Sequence, residues 1–325
     1  MEPKRLSPPK QSMVDLRSLI ERRLQELLPL PQQGENLLAH AMHTGVLAPG
    51  KRTRSMLMLL TAKSLDGDLK VVLDLACAVE MVHAASLFLD DMPCMDNAQL
   101  RRGRLAAHLQ YGEDIAVLAS IALLSEACLV ITNIENLPAY VRSRLVAALS
   151  CAVGRQGLAN GQYLDLRGAA AKQSEEGIAS LNKQKTGVLF AAALDMAAMA
   201  SQADDHCRAE LRAAAIDIGQ AFQMRDDLED GSPTVGMALK DRHKDQGKTT
   251  LVSLLGRETV RVKMLEHLRD AVAHLQAAIP RDPHLRDFVL RAFNVSSDEI
   301  ESVSEPNLLH ANHRNTYSAH QGALR

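Results

Sequence analysis

Apolar residues recur at helical spacing along almost the whole chain, and this periodicity constrains the fold more than any other feature. The first block has apolar positions at Val14, Leu16, Leu19, Ile20, Leu24, Leu27 and Leu28. Further blocks occupy roughly residues 36–46, 52–65, 71–96, 114–134, 138–166, 174–203, 207–230, 249–279 and 283–293. Because no segment shows a sustained two-residue alternation, the pattern predicts an all-α protein.

The scarcity of backbone breakers and aromatic residues favours the same fold class. The 325 residues include 18 glycines and 12 prolines, a smaller share than the roughly 12% typical of proteins. Aromatic residues make up 3%, whereas strand-rich proteins favour them. No linker is long enough to divide the helical blocks. We therefore predict one domain over residues 13–295, a disordered leader over 1–12 and a flexible tail over 296–325.

Charge and cysteine content exclude several classes of function. The 37 basic and 39 acidic residues create no overall field, so we expect no nucleic-acid partner. The five cysteines form no CxxC pair, which argues against disulfides and zinc and favours a reducing, cytoplasmic location. The start of the chain lacks the apolar region of a secretory signal. The apolar stretch 115–131 is short for a membrane span and contains Glu126, so we expect a buried helix and no transmembrane segment.

A first cluster of acidic residues lies in the segment Asp90-Asp91-Met-Pro-Cys-Met-Asp96. Three carboxylates among apolar residues repel one another unless a cation compensates them. In a regular helix Asp96 would lie about 120° from Asp90, so the three would not converge. Pro93 distorts the helix and could bring Asp96 back. The alternative interpretation is a solvated helix end with an acidic surface turn.

A second acidic cluster, Asp226-Asp227-Leu-Glu-Asp230, ends a later helical block. The i, i+3 and i, i+4 spacings place its three aspartates on one helix face. Two such clusters opposed across a cavity would form an all-oxygen site, for which Mg²⁺ is the best candidate. Since Mg²⁺ completes its coordination with water and phosphate oxygens, this predicts a phosphorylated substrate.

Basic segments accompany the acidic clusters. They are Lys51-Arg52-Thr53-Arg54, Arg101-Arg102-Gly103-Arg104, Lys185-Thr186 and the segment from Lys240 to Lys248. Arginine suits bidentate recognition of phosphate, and lysine supplies a point charge. His83 lies seven residues before Asp90, near the same helix face. Each basic run alone is typical of a solvated surface, but their combination with two acidic clusters indicates a phosphate site.

These motifs identify a family resemblance that covers roughly residues 15–295. The chain resembles the trans-isoprenyl diphosphate synthases, whose two aspartate-rich motifs correspond to Asp90-Asp91…Asp96 and to the Asp226–Asp230 cluster. Within that family it is most similar to the bacterial geranylgeranyl diphosphate synthases of carotenoid pathways, through the form of the first motif and the preceding segment 74–86. The resemblance implies an all-α, single-domain orthogonal helix bundle around a deep central cavity, the isoprenoid synthase fold, usually as a homodimer.

The resemblance also implies the roles of the site residues. Three Mg²⁺ ions would be held by Asp90, Asp96, Asp226 and Asp230, with Asp91 and Asp227 in support. Isopentenyl diphosphate would bind Lys51, Arg54, His83 and Arg102. The allylic diphosphate would bind Arg101, Lys185, Thr186, Gln223, Lys240 and Lys248. Lys185 and the six aspartates would be the catalytic set.

Four positions depart from the common family pattern. They are Ser55, Asn97, Leu105 and Leu239, which stand where proline, an acidic residue, proline and glycine are usual. None of them removes a charged group that is assigned to phosphate or metal. Leu239 puts the conformation of the loop that carries Lys240 in question, because glycine alone readily adopts positive φ.

The function implied by the resemblance is Mg²⁺-dependent elongation of dimethylallyl, geranyl or farnesyl diphosphate with isopentenyl diphosphate. Product length depends on the residues one or two turns before Asp90. Ala85 and Ser86 are small, and Met81 and Val82 lie a turn deeper, which predicts geranylgeranyl diphosphate as the main product. The alternatives are a farnesyl or longer-chain synthase, a terpene cyclase or head-to-head condensing enzyme, and a non-catalytic partner subunit.

Overall fold

The computed structural model describes residues 13–30, 36–168, 174–230 and 250–303. The predicted leader, most of the predicted tail, and Leu239, Lys240 and Lys248 lie outside the described residues. The side chain of Asp230 also lies outside what the structure describes.

The described residues are almost entirely helical, which confirms the predicted fold class. The helices are α1 (Met13–Leu27), α2 (Leu37–Val46), α3 (Thr53–Ser64), α4 (Leu69–Asp90), α5 (Ala107–Tyr111), α6 (Glu113–Thr132), α7 (Ala139–Val153), α8 (Leu158–Gly168), α9 (Glu175–Asn182), α10 (Val188–Ala200), α11 (Asp205–Asp230), α12 (Leu251–Leu255), α13 (Arg257–Ala278), α14 (His284–Phe293) and α15 (Ser297–Glu301). A π-helical turn, Lys183–Gly187, joins α9 to α10. Two short strands, β1 (Leu100–Arg101) and β2 (Arg104–Leu105), form a hairpin.

Helix α4 is the central element of the bundle, and it ends at the first acidic cluster. Its amino end is capped by Asp68, whose side chain accepts hydrogen bonds from the amides of Lys70 and Val71. Most of its apolar stretch is buried, against α1, α2, α3, α6 and α10. Small buried residues such as Ala76, Cys77 and Ala78 allow close helix packing. The core therefore holds the carboxyl end of α4 in a fixed position.

The second acidic cluster ends α11, which packs against α10 on one side and α13 on the other. The buried positions Leu211, Ala214, Ala215 and Ile218 follow helical spacing and face these neighbours. The two acidic clusters therefore stand at the carboxyl ends of two long packed helices, α4 and α11.

Helix α6 differs from its prediction as a buried helix. Like α4, it is long and apolar enough to cross a membrane by length and composition, but only 39% of its apolar stretch is buried, against 72% for α4. Its buried positions, including Ala116, Ala119 and Leu123, pack on α4 and α2. The opposite face exposes Val117, Leu118, Ile121 and Leu129. This helix is therefore buried on one side, because nothing in the chain covers the other side within the described residues.

Several predicted blocks are interrupted in the structure. The block predicted over 138–166 divides at Gly154–Gly157, where the chain approaches the end of α7 so closely that a Cβ at Gly157 would lie 1.9 Å from the carbonyl oxygen of Ala152. The block predicted over 249–279 divides at Gly256, whose φ of 82° ends α12. Turn-forming glycines thus determine these boundaries.

The packed domain continues beyond the predicted end at residue 295. Ser296 and Glu299 form a capping box that begins α15, and Ile300 is buried against α13. The described helical structure therefore includes residues up to 303, beyond residue 295.

Candidate active site

The first acidic cluster folds back on itself after α4. The helix ends at Asp90, and the backbone amide of Asp96 then donates a 3.0 Å hydrogen bond to the carbonyl oxygen of Asp90. The amide of Ala98 likewise bonds to the carbonyl of Asp91 at 3.1 Å. Pro93 lies at the exposed outer side of this turn. The structure therefore confirms that the chain after Pro93 brings Asp96 back to Asp90, although α4 itself ends six residues before the predicted end at 96.

Asp90 and Asp91 occupy different electrostatic environments. Asp91 is 2% exposed and forms an ion pair with Arg101. The Nε of Arg101 lies 3.0 Å from both carboxylate oxygens of Asp91, and its Nη2 donates to Oδ1. Burial raises the pKa of Asp90 to about 6. The charge of Lys185 opposes that rise, and those of Asp96 and Asp91 add to it. Asp91 therefore holds Arg101, whereas the charge of Asp90 is only partly compensated.

The second cluster is linked to the π-helical turn by a chain of side chains. Thr186 Oγ1 donates to Gln223 Oε1 at 3.5 Å, and Gln223 Nε2 donates to Asp227 Oδ1 at 3.1 Å. Asp226, at the half-buried end of α11, lies 3.6 Å from Arg225 Nη2. The π-helical turn also carries Lys185, whose charge acts on the carboxylate of Asp90. The π-helical turn therefore joins the two acidic clusters.

A cation-rich group of side chains adjoins the acidic clusters. Burial lowers the pKa of Arg54 to about 10, and its Nε has no hydrogen-bond partner among the described residues. Burial likewise lowers the pKa of Arg102. The pKa of His83 lies well below its ordinary value, because of burial first and then the charges of Arg54, Arg102, Arg101 and Arg52. His83 is therefore neutral at pH 7, and of the guanidinium groups around it those of Arg54 and Arg102 are the ones whose pKa values are lowered.

Local structure fixes these basic groups in place. Arg102 adopts a left-handed backbone conformation, with φ of 53°, in the two-residue turn of the hairpin. Its guanidinium packs on Gly50, where a Cβ would lie 3.1 Å from Nη1. The guanidinium of Arg54 lies 4.2 Å from the ring centroid of Phe190. Lys51 is exposed.

The described part of the site therefore contains two groups of opposite sign whose charges are only partly compensated. Burial and mutual repulsion raise the pKa of the Asp90 carboxyl, and burial and neighbouring cations lower those of Arg54, Arg102 and His83. A cation at the first group and an anion at the second would relieve both costs. A metal-bound phosphate supplies both at once.

Comparison with known proteins decides the family. The sequence matches the family described as Polyprenyl synthetase over residues 35–278. It is 48% identical over 276 residues to a geranylgeranyl diphosphate synthase of Pseudescherichia vulneris, which covers 84% of this chain and 89% of that protein. It is 47% identical over 282 residues to a geranylgeranyl diphosphate synthase of Pantoea ananas, and this match covers 85% of this chain and 90% of that protein. The chain belongs to the polyprenyl synthetase family.

A solved structure shows the same fold in a relative of this polyprenyl synthetase. The geranyltransferase of Helicobacter pylori, complexed with magnesium and isoprenyl diphosphate, has a TM-score of 0.77 and 28% identity. The match covers 89% of this chain and 98% of that one. The polyprenyl synthetase is accordingly a prenyltransferase with the isoprenoid synthase fold, as the sequence predicts.

The donor groups of this polyprenyl synthetase fit Mg²⁺. Within the parts of the chain that the structure describes, no three His, Cys, Asp or Glu side chains are arranged to hold a metal ion by themselves. Mg²⁺ does not require three protein ligands, since it binds proteins through one or two carboxylates and takes its other ligands from water and phosphate. Asp90, Asp96 and Asp226 are half-buried carboxylates of that kind. The group that they suit is therefore a magnesium ion shared with a substrate phosphate.

Two of the departures from the family pattern have structural explanations in this polyprenyl synthetase. Ser55 is buried and donates a 2.5 Å hydrogen bond to Glu80 Oε1. Asn97 has a φ of 48°, a conformation that asparagine adopts more readily than most residues. Leu105 is exposed in β2, where it pairs with Leu100 of β1.

Sequence reasoning missed two sets of residues around the site. Arg52 is 5% exposed and bonds to both Glu21 and Glu80, so it holds α1, α3 and α4 together instead of binding phosphate. Asp165 on α8 accepts a 2.6 Å hydrogen bond from Lys185 Nζ. The neighbouring Gln162 reaches Met95 Sδ, in the turn of the first acidic cluster. The sequence does not distinguish the α8 set, because two polar residues at i, i+3 spacing are common on the surface of a helix.

Proposed function

We propose that this polyprenyl synthetase is a geranylgeranyl diphosphate synthase, which elongates allylic diphosphates with isopentenyl diphosphate in the presence of Mg²⁺. The single observation that carries the proposal is the pairing of an undercompensated carboxylate, Asp90, with undercompensated cations, Arg54 and Arg102. Metal ions and diphosphates together supply the missing charges. The names of the relatives at 47–48% identity support the twenty-carbon product, for carotenoid or other isoprenoid synthesis.

The proposed roles follow the position of each group. The carboxylates of Asp90, Asp96, Asp226 and Asp230 would hold three Mg²⁺ ions, and Asp91 and Asp227 would act in support, through Arg101 and Gln223. Arg101, Lys185 and Thr186 bind the allylic diphosphate together with Gln223, Lys240 and Lys248. Lys51, Arg54, His83 and Arg102 bind isopentenyl diphosphate. Of this set, Lys240, Lys248 and the side chain of Asp230 lie outside the described residues.

The chain's own groups account for the main steps of the reaction. Magnesium, when bound, supplies Lewis-acid stabilisation of the leaving pyrophosphate. Lys185 and Arg101 add positive charge where negative charge develops as the allylic C–O bond breaks. Arg54 and Arg102 hold isopentenyl diphosphate, whose double bond attacks the allylic carbon. Because His83 is neutral, it can hydrogen-bond to that diphosphate without adding a third cation to a crowded site. The departed pyrophosphate takes the proton that is lost.

Product length is proposed to depend on the inner face of α4. Ala85 is fully buried and Ser86 half-buried, and the hydroxyl of Ser86 donates to the carbonyl oxygen of His83. Neither side chain is large enough to close a cavity at this depth. Met81 and Val82, a turn further, are 0% and 1% exposed and stop the chain at twenty carbons. A farnesyl diphosphate synthase is the second candidate, which would require the cavity to close one turn earlier.

The assembly and location are also proposals. We propose a cytoplasmic homodimer whose contact includes the exposed apolar face of α6, formed by Val117, Leu118, Ile121 and Leu129. An apolar face of this kind on a long helix is typical of a protein interface. Free thiols fit a reducing compartment, and the described part of the chain contains five of them.

The test is a condensation assay with purified protein, isopentenyl diphosphate and each allylic primer. We expect prenyl diphosphate products with Mg²⁺ and none after chelation. The variant Arg102→Gln should raise the KM for isopentenyl diphosphate by roughly 10- to 100-fold, the range of one charged hydrogen bond. Arg104→Gln is the matched control, since Arg104 is an exposed arginine of the same hairpin. Absence of condensation with every primer would refute the proposed enzyme.

A terpene cyclase would behave differently in this assay. It needs no isopentenyl diphosphate, so it would convert an allylic diphosphate alone and would be insensitive to Arg102→Gln. A non-catalytic partner subunit would give no product under any condition.

A further inference from the structure

One face of α8 lies between the first acidic cluster and the π-helical turn. Asp165 shares this face with Gly161 and Gln162, since it follows them by four and three residues. Gln162 Nε2 lies 3.7 Å from Met95 Sδ in the acidic turn, and Asp165 Oδ2 lies 2.6 Å from Lys185 Nζ in the π-helical turn. This helix therefore contacts both halves of the site.

The backbone of the π-helical turn is held by two glycines. A Cβ at Gly161 would lie 2.6 Å from the backbone nitrogen of Lys185, so only glycine allows α8 to approach so closely. On the other side, a Cβ at Gly219 of α11 would lie 2.6 Å from Cα of Gly187. The turn is thus fixed between α8 and α11. Isolated π-helical turns inside helices are frequent at functional sites.

The side chain of Lys185 has two acidic neighbours. Asp165 bonds to its ammonium group directly, and the charge of Lys185 also acts on the carboxylate of Asp90. A lysine side chain has four flexible carbon–carbon bonds, so its position depends on the partner that holds it. Without Asp165, the ammonium would be free to pair with Asp90 and occupy the place of a metal ion.

We propose that Asp165 is a positioning residue, which holds the Lys185 ammonium at the edge of the first acidic cluster so that it meets the allylic diphosphate. This inference rests on the proposed function for the role of Lys185. In this proposal Asp165 acts on the substrate through Lys185. Its contribution to diphosphate binding is therefore lost when Lys185 is replaced.

A double-mutant cycle tests this dependence. The variants are Asp165→Asn, Lys185→Met and their combination, and the measurement is calorimetric affinity for inorganic pyrophosphate in the presence of Mg²⁺. We expect Asp165→Asn to weaken binding by roughly 10-fold or more, as for one charged hydrogen bond. Lys185→Met should weaken it at least as much. Adding Asp165→Asn to Lys185→Met should change the affinity by less than about twofold.

Two further variants separate positioning from folding. Asp165→Glu keeps the charge and should recover part of the affinity. Asp195→Asn is the matched control, because Asp195 is a buried aspartate that bonds to Arg208 and Arg212 away from this site. It should lower the melting temperature without changing pyrophosphate affinity.

Three results would overturn the inference. They are wild-type affinity in Asp165→Asn, tighter binding in that variant, and a loss that persists in the Lys185→Met background. Condensation activity is measured separately on the same proteins. If the protein shows no condensation but the double-mutant cycle gives the expected pyrophosphate affinities, the proposed function is wrong and the positioning role stands. If the protein condenses the substrates but the cycle gives one of the three contrary results, only the role of Asp165 is rejected.

Discussion

Asp90 and Asp91 are neighbours in sequence, but folding gives them different roles. Asp91 is almost fully buried and satisfied by Arg101, whereas burial leaves Asp90 with a pKa of about 6. An ordinary aspartate has a pKa near 3.8, so the ionised form of Asp90 is disfavoured in the folded, metal-free protein. That cost is the physical basis of its proposed metal binding.

The first prediction concerns the stability of the metal-free protein. Because the folded pKa of Asp90 is raised, ionised Asp90 destabilises the fold above pH 6, and the cost disappears below about pH 3.8. Asp90→Asn should therefore raise the free energy of unfolding at pH 7.5 by on the order of 2 kcal/mol and change it little near pH 4. Urea unfolding in the presence of a chelator measures both values.

The matched control for this prediction is Asp91→Asn. It removes the carboxylate that Arg101 binds, so it should lower the free energy of unfolding at pH 7.5 by about 2 kcal/mol. Equal effects of the two substitutions would show that Asp90 is as well compensated as Asp91, contrary to our account.

The second prediction concerns product length. Ala85→Tyr should shorten the product from twenty to fifteen carbons, because a ring at this buried position closes the cavity one turn before Met81 and Val82. Ser86→Phe should close the cavity at the same depth from a half-buried position, where a larger side chain affects folding less. Ala85→Ser is the size control and should keep the twenty-carbon product. Chromatography of the dephosphorylated products gives their prenyl chain lengths. Unchanged chain lengths in both bulky variants would show that other residues close the cavity.

Sequence reasoning identified residues whose charge is unusual for their surroundings. Asp90, Asp96 and Asp226 were identifiable because carboxylates at these spacings need a cation. Asp165 was not identifiable from the sequence, since a single aspartate in a helix is usually a surface residue. Its role depends on the approach of α8 to the π-helical turn, which is a tertiary contact.

At the scale of helices, glycines set the closest approaches. The third prediction compares two of them that face each other where the π-helical turn meets α11. Gly219→Ala would place its Cβ 2.6 Å from Cα of Gly187 and should destabilise the protein by about 1–3 kcal/mol. Gly187→Ala meets nothing closer than Ile216 Cδ1 at 3.4 Å, so it should be neutral or stabilise by up to about 1 kcal/mol.

Thermal and urea unfolding distinguish these two alanine variants. Similar stabilities for both would show that the π-helical turn and α11 pack less closely than the structure indicates.

The helical blocks were predictable from periodicity, but their interruptions were not. The pattern around Gly157 continues without a break in sequence, whereas in the structure the chain must turn there. The π-helical turn is likewise invisible in sequence, because one extra residue per turn changes the apolar spacing too little to detect. The short hairpin depends on positive φ at Arg102 and Gly103, of which only the glycine gives a sequence signal.

At the scale of the whole molecule, the exposed face of α6 predicts self-association. Ile121→Glu places a charge in the centre of this apolar face and should convert the proposed dimer to a monomer. Leu254→Glu is the control, since Leu254 is an exposed leucine on α12, away from that face. Light scattering after size-exclusion chromatography gives the mass of each variant. A dimer that survives Ile121→Glu would place the interface elsewhere.

The central claim is that one site elongates allylic diphosphates and stops at twenty carbons. The most direct measurement is the length of the prenyl chain that the purified wild-type protein makes from dimethylallyl diphosphate and excess isopentenyl diphosphate with Mg²⁺, followed to completion. We predict that fifteen-carbon product appears transiently and that twenty-carbon product then accumulates without further growth. Accumulation of fifteen-carbon product, or continued growth beyond twenty carbons, would contradict the account.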